Sequence, residues 1–174
     1  MNRHQTAVAA EAFAAGVFAQ AGYSVFVQYG ANQPGYDLAV ISDDRKAMQV
    51  SVKGSTDGWW LLTAKEKGKT YQQAYEEWIK KNRGLVFCLV QFSGVRAGDM
   101  PSMYLATGEE IGQILLTFNF GELNLALTEH YTPTKGKNKG KEMAIPAIWR
   151  MTKDRIDLIV NKTINASAFA AAFP

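Results

Sequence analysis

Two residues in the stretch GYDLAVISDDRKAMQVSVKGS, Gly35 to Ser55, have types suited to chemistry on a phosphate: Asp37 and Lys53. They sit on two alternating apolar runs joined by a polar, charge-rich turn. Side chains alternate along a strand, so Met48, Val50 and Val52 share one face, while Gln49, Ser51 and Lys53 share the other. With a turn of Ser42 to Lys46, Ile41 falls opposite Ala47, Ala39 opposite Gln49, and Asp37 opposite Ser51. Any loop of odd length keeps Asp37 on the face of Lys53, and directly paired Cβ atoms lie about 4.5–5.5 Å apart. Carboxylate oxygens beside a backbone carbonyl suit Mg²⁺ or Mn²⁺, and a nearby lysine can orient or deprotonate an attacking water. That combination is the chemistry of metal-assisted phosphodiester hydrolysis.

Glu11 is a third acidic candidate. Its helical neighbours are Ala7, Val8, Ala14, Ala15 and Phe18, so it projects from an apolar stripe toward whatever the helix covers. A carboxylate there needs a partner, either a metal ion shared with Asp37 or Lys53 in a structural ion pair. Read separately, Asp37 is also a turn residue after QPG, and Lys53 also an end-of-strand lysine.

The elements that must position these groups follow from pattern. Residues 6–21 read as an alanine-rich helix closed at Ala21-Gly22, and YSVFVQYG, Tyr23 to Gly30, as a strand. After the hairpin, WWLLT is a short strand and AKEKGK a loop. TYQQAYEEWIKKN begins at the cap Thr70, sets Tyr71, Ala74, Tyr75 and Trp78 at helical spacing, and ends in Lys80, Lys81 and Arg83 before Gly84. LVFCLVQF is a continuous apolar run, the mark of a central strand covered on both faces. SMYLAT is another strand, and Thr107 caps a short helix, GEEIGQILL. Further on, GELNLAL reads as a strand, TPTKGKNKGKE as an exposed loop, AIPAIWRM as extended, and KDRIDLIVNK as helical, whereas NASAFAAAFP has no assignment. The order argues an α/β sandwich with a central mixed β-sheet flanked by helices.

In this arrangement the first half of the chain resembles the PD-(D/E)XK nuclease superfamily, the restriction-endonuclease-like fold, in its Holliday-junction-resolvase-like variant. The resemblance covers roughly residues 6–92 and rests on the order of elements together with GYD, SVK and the helical glutamate. It implies that Asp37 takes the place of the family aspartate, Lys53 that of the family lysine, and Glu11 that of the glutamate contributed by the first helix. Ser51 stands where the family carries an acid, and a neutral hydroxyl is a weaker ligand. Gln49, on the same face about 7 Å along the strand, is a displaced substitute. The implied metal set is therefore Asp37, Glu11, Gln49 and Ser51, with Mg²⁺ or Mn²⁺ as cofactor and DNA as partner.

Outside that core, KGKNKGK places Lys135, Lys137, Lys139 and Lys141 within seven residues, a loop suited to phosphate contacts without base readout or to plain solvation. Trp59 and Trp60 can stack on bases or pack a core or dimer contact. The two histidines, His4 and His130, lack partners at zinc spacing.

The length, 174 residues, and 47% hydrophobic content imply one domain, within which the resemblance implies a nuclease-like core over about 6–117 and a C-terminal elaboration over about 118–174. A net charge of +3 is too weak to identify a nucleic-acid binder by itself. The one cysteine, Cys88, lies in an apolar run and implies a buried thiol in a reducing cytoplasm. Glu11 interrupts the apolar start, which argues against a secretory leader, and no run approaches the roughly 18 apolar residues of a membrane span. Three readings follow: a metal-dependent DNA endonuclease of full or degenerate activity, an inactive nucleic-acid-binding module on the same fold, and a partner-binding protein, such as a homodimer using Trp59, Trp60 or Trp78.

Overall fold

The computed structural model describes residues 1–28, 35–63, 68–118, 125–135 and 138–172, with side chains as far as residue 163, Phe118 apart. In chain order the elements are α1 (Arg3–Gln20), β1 (Ser24–Val27), β2 (Leu38–Ile41), β3 (Ala47–Ser55), β4 (Trp59–Thr63), α2 (Tyr71–Asn82), β5 (Val86–Gln91), β6 (Ser102–Thr107), α3 (Gly108–Phe118), β7 (Leu125–Thr128), β8 (His130–Tyr131), β9 (Met143–Ala144) and α4 (Lys153–Ala172). A 3₁₀ turn, Ala147–Trp149, precedes α4.

Five strands form the central sheet in the order β1-β2-β3-β5-β6. The β3–β5 pair is parallel and the other three are antiparallel, so the sheet is mixed and flanked by helices, as the pattern predicts. The hairpin register is also the predicted one, with Ile41 opposite Ala47 and Ala39 opposite Gln49. Alternation along β5 explains its continuous apolar run. Val86, Cys88 and Val90 join one core with Ala10, Ala14, Phe18 and Ile156, whereas Phe87 and Leu89 join another with Trp78, Ile111 and Leu127. Each fully buried Val, Leu, Ile or Phe among them contributes about 1.5–3 kcal/mol.

α1 begins three residues before its apolar pattern because Asn2 and Gln5 form a capping box: each side chain accepts the other's backbone N–H at 2.9 Å. The helix buries Thr6, Ala10, Ala14 and Phe18, spaced by four, against the sheet. α2 starts at Thr70, whose side chain caps it as expected. Two features differ from the sequence reading. A 3₁₀ turn after Pro146 buries Trp149 where an extended segment is expected. The α4 backbone also continues through most of the unassigned tail, to Ala172. Among the described residues no helix is long and apolar enough to cross a membrane.

Candidate functional site

The site forms at the open end of the β2–β3 ladder. The paired register ends at Leu38–Val50, and the Asp37 N–H donates to the same Val50 carbonyl at 2.9 Å, so the regular ladder that would set Asp37 opposite Ser51 stops one step short. Val50 and Val52, two apart, direct their amides to the same side of β3. β2 begins only at Leu38, so the Val52 N–H has no ladder partner there. The Asp37 side chain fills that gap: its Oδ2 accepts the Val52 N–H at 2.6 Å and the Ser51 hydroxyl at 3.2 Å.

α1 delivers Glu11 to the same place. A Cβ on Gly54 would lie 2.8 Å from the Thr6 carbonyl oxygen and 3.0 Å from the Ala10 Cβ, so only glycine lets the helix lie this close to β3. Glu11 then lines a cleft of about 600 Å³ with Asp37, Lys53, Asp57, Arg3 and Trp59. Partial burial, and next the charge of Asp37, raise the Glu11 carboxyl above its ordinary range, while Lys53 and His4 oppose the shift. Among the described residues no ion pair joins Glu11 to Lys53; the salt bridges that form lie elsewhere. The structural ion pair that was the alternative expectation for Glu11 is therefore not made. Two carboxylates face one cleft without a bonded cation.

The remaining members of the expected metal set are placed differently. Ser51 is buried at 5% exposure, and its hydroxyl points its hydrogen at Asp37. Gln49 is exposed opposite Ala39 and lines neither this cleft nor its neighbour, so it is not brought to Asp37. Among the described residues no group of three or more His, Cys, Asp or Glu converges. The groups that fit a hard divalent ion are the Glu11 carboxylate and Asp37 Oδ1, with water completing the shell.

Lys53 also borders a second cleft, of about 430 Å³, with Ser51, Lys69, Trp78, Lys81 and Asn82. The three α2-side polar groups, Lys69, Lys81 and Asn82, are absent from the site as read from sequence. Lys81 carries a signal only as a basic residue in the last helical turn.

The two tryptophans separate. Trp60 is 1% exposed and packs edge-on to Tyr104, so it offers no face to a base. Trp59 is 38% exposed, borders the cleft of Glu11 and Asp37, and meets Tyr131 edge-on at 5.7 Å between centroids. Lys135, Lys139 and Lys141 are exposed between β8 and β9 and line neither cleft, and Lys137 lies outside the described residues. Cys88 is buried, and burial pushes its thiol up to about 12.

No protein-family model and no curated protein matches the chain. Among solved structures there is a likeness to a bacterial homing endonuclease, at 11% identity over 97% of this chain and 98% of that one, with a TM-score of 0.46. A likeness of that degree assigns neither an activity nor a site residue to this chain.

Proposed function

We propose that this chain binds DNA and hydrolyses phosphodiester bonds slowly with Mg²⁺ or Mn²⁺, as a degenerate member of the PD-(D/E)XK group. The observation that carries the reading is the meeting of Glu11, Asp37 and Lys53 in one cleft with no ion pair closed between them. Like charges held together in a cleft are relieved by a cation, which is what a two-carboxylate site supplies ligands for. A bound divalent ion would polarise a phosphoryl oxygen and lower the pKa of a water.

The chain's own groups do the rest. The Val52 N–H and Ser51 hydroxyl hold Asp37 Oδ2, leaving Oδ1 directed elsewhere. Glu11 provides the second carboxylate from the helix. Lys53, as an ammonium, donates hydrogen bonds that hold a phosphoryl oxygen and orient the attacking water. Water adds to phosphorus and releases a proton to solvent, the bond to the leaving oxygen breaks, and that oxygen takes up a proton from solvent. Ser51 contributes a dipole where a third carboxylate would contribute a full charge, and this is the reason for low activity.

The second reading, a DNA-binding module without hydrolysis, has its own support: the same two hydrogen bonds give Asp37 a purely structural task. Nicking of plasmid and of single-stranded DNA, with and without Mg²⁺ or Mn²⁺, separates the two. Hydrolysis predicts slow metal-dependent nicking by the wild type, more by Ser51→Glu, and none by Ser51→Glu combined with Lys53→Ala. Equal brisk cleavage by wild type and Lys53→Ala would remove the site. A folded Ser51→Glu variant that gains neither metal binding nor cleavage would leave the binding module.

A further inference from the structure

Lys53 stands where two clefts meet. One is of mixed charge, with Glu11, Asp37 and Asp57 beside Arg3 and Lys53, and carries the exposed Trp59. In the other, Lys69 and Lys81 join Lys53 above a floor of Trp78 and Phe87. Three lysines there face one carboxylate, Glu77, which Lys69 holds at 2.7 Å, so the second cleft is net positive. Ala74, Glu77, Trp78 and Lys81, spaced by three and four, form the face of α2 that borders it. Lys81 makes no ion pair among the described residues, although Glu77 is four positions away. The floor is closed to stacking, because Trp78 is 5% and Phe87 2% exposed. This cleft therefore presents positive charge and no aromatic face, whereas the mixed-charge cleft carries an aromatic side chain, Trp59, in its lining.

We infer that the two clefts form one path for a single strand of nucleic acid, its sugar–phosphate backbone held by Lys69 and Lys81, one phosphate at Lys53, and an adjoining base against Trp59. A basic groove that tracks the backbone beside an aromatic platform is the physical arrangement of single-strand binders. Duplex DNA keeps its bases stacked inside the helix, so Trp59 gains no base from it without unstacking. The inference rests on the phosphodiester-binding reading above and specifies its substrate as unpaired.

The test is fluorescence anisotropy of the full chain with a labelled mixed-sequence strand of about 12 nucleotides and with the blunt duplex of the same sequence. Chelator excludes divalent ions, and salt runs from about 50 to 200 mM. The strand is expected to bind about tenfold more tightly than the duplex. Lys81→Ala should weaken strand binding about threefold and reduce the slope of log affinity against log salt by about 0.7. Trp59→Ala should weaken it at least about fivefold with the slope unchanged. Lys80→Ala removes the same charge one residue away, on a part of α2 that lines neither cleft, and should match wild type. Equal affinity for duplex and strand, no binding of either, or a Lys81→Ala variant indistinguishable from Lys80→Ala would overturn the strand path. Equal affinity, or a Lys81→Ala variant that matches Lys80→Ala, leaves metal-dependent nicking untouched; no binding of either also removes the DNA binding proposed above; and a chain that binds strands but never nicks fails only the hydrolysis.

Discussion

The Asp37 carboxylate accepts the Val52 backbone N–H at 2.6 Å, so the side chain that faces Glu11 also closes the open end of the β2–β3 ladder. Structure and charge can be separated at this position. Asp37→Ala leaves a buried donor without a partner and should cost about 1–3 kcal/mol. Asp37→Asn keeps an acceptor oxygen and should lose less than about 1 kcal/mol. Urea unfolding midpoints compare the two, and an equal loss would show that the hydrogen bond is not the source of the stability.

Glu11 gives a signed pH dependence in the metal-free protein. Its carboxyl is raised in the folded chain from the ordinary 4.5, by burial first and by Asp37 second. A raised group contributes its stability below the unfolded value and loses it as pH climbs through the folded value. The stability of wild type relative to Glu11→Gln should therefore be level below about pH 4.5 and fall above it. At neutral pH the Glu11→Gln chain should be the more stable. A difference that rises with pH would place Glu11 in a favourable ion pair.

The lysine loop tests separately from the clefts. If Lys137 and Lys139 touch phosphates, changing both to alanine should weaken binding to all sequences alike and reduce the salt slope by about 1–2. An unchanged slope assigns the loop to solvation.

Gly54 controls how near α1 comes to β3. In Gly54→Ala the new methyl meets the Thr6 carbonyl oxygen at 2.8 Å, a backbone atom that cannot rotate away. The helix must shift, at about 1–3 kcal/mol for overpacking, and Glu11 shifts with it. A thermal unfolding scan should show the loss, and wild-type stability would mean that α1 slides without cost.

Much of this arrangement is legible in the sequence, and the parts that are not share a physical cause. The hairpin register from Leu38–Val50 to Ile41–Ala47 follows from the alternation of Met48, Val50 and Val52 once the turn length is odd. The cap at Thr70 and the two-faced burial of β5 are local signals too. Pairing of β4 with β7 joins Trp60 to Leu127 across 67 positions, and no local pattern announces it. That pairing decides which tryptophan is buried. The approach of α1 at Gly54 and the convergence of Lys69, Lys81 and Asn82 on Lys53 are likewise tertiary facts. Gln49 illustrates the converse: sharing a strand face with Ser51 does not bring a side chain two residues away to the carboxylate it was expected to assist.

If Glu11 and Asp37 form the proposed site, they hold one divalent ion between them. Titration of the chain with Mn²⁺, followed by the loss of the free-ion electron paramagnetic resonance signal, measures it directly. One Mn²⁺ should bind per wild-type chain. Glu11→Gln and Asp37→Asn should each weaken it at least about tenfold, the scale on which even supporting groups matter at a metal site. Binding of equal strength in wild type and both variants, or no binding to the folded wild type, would contradict it.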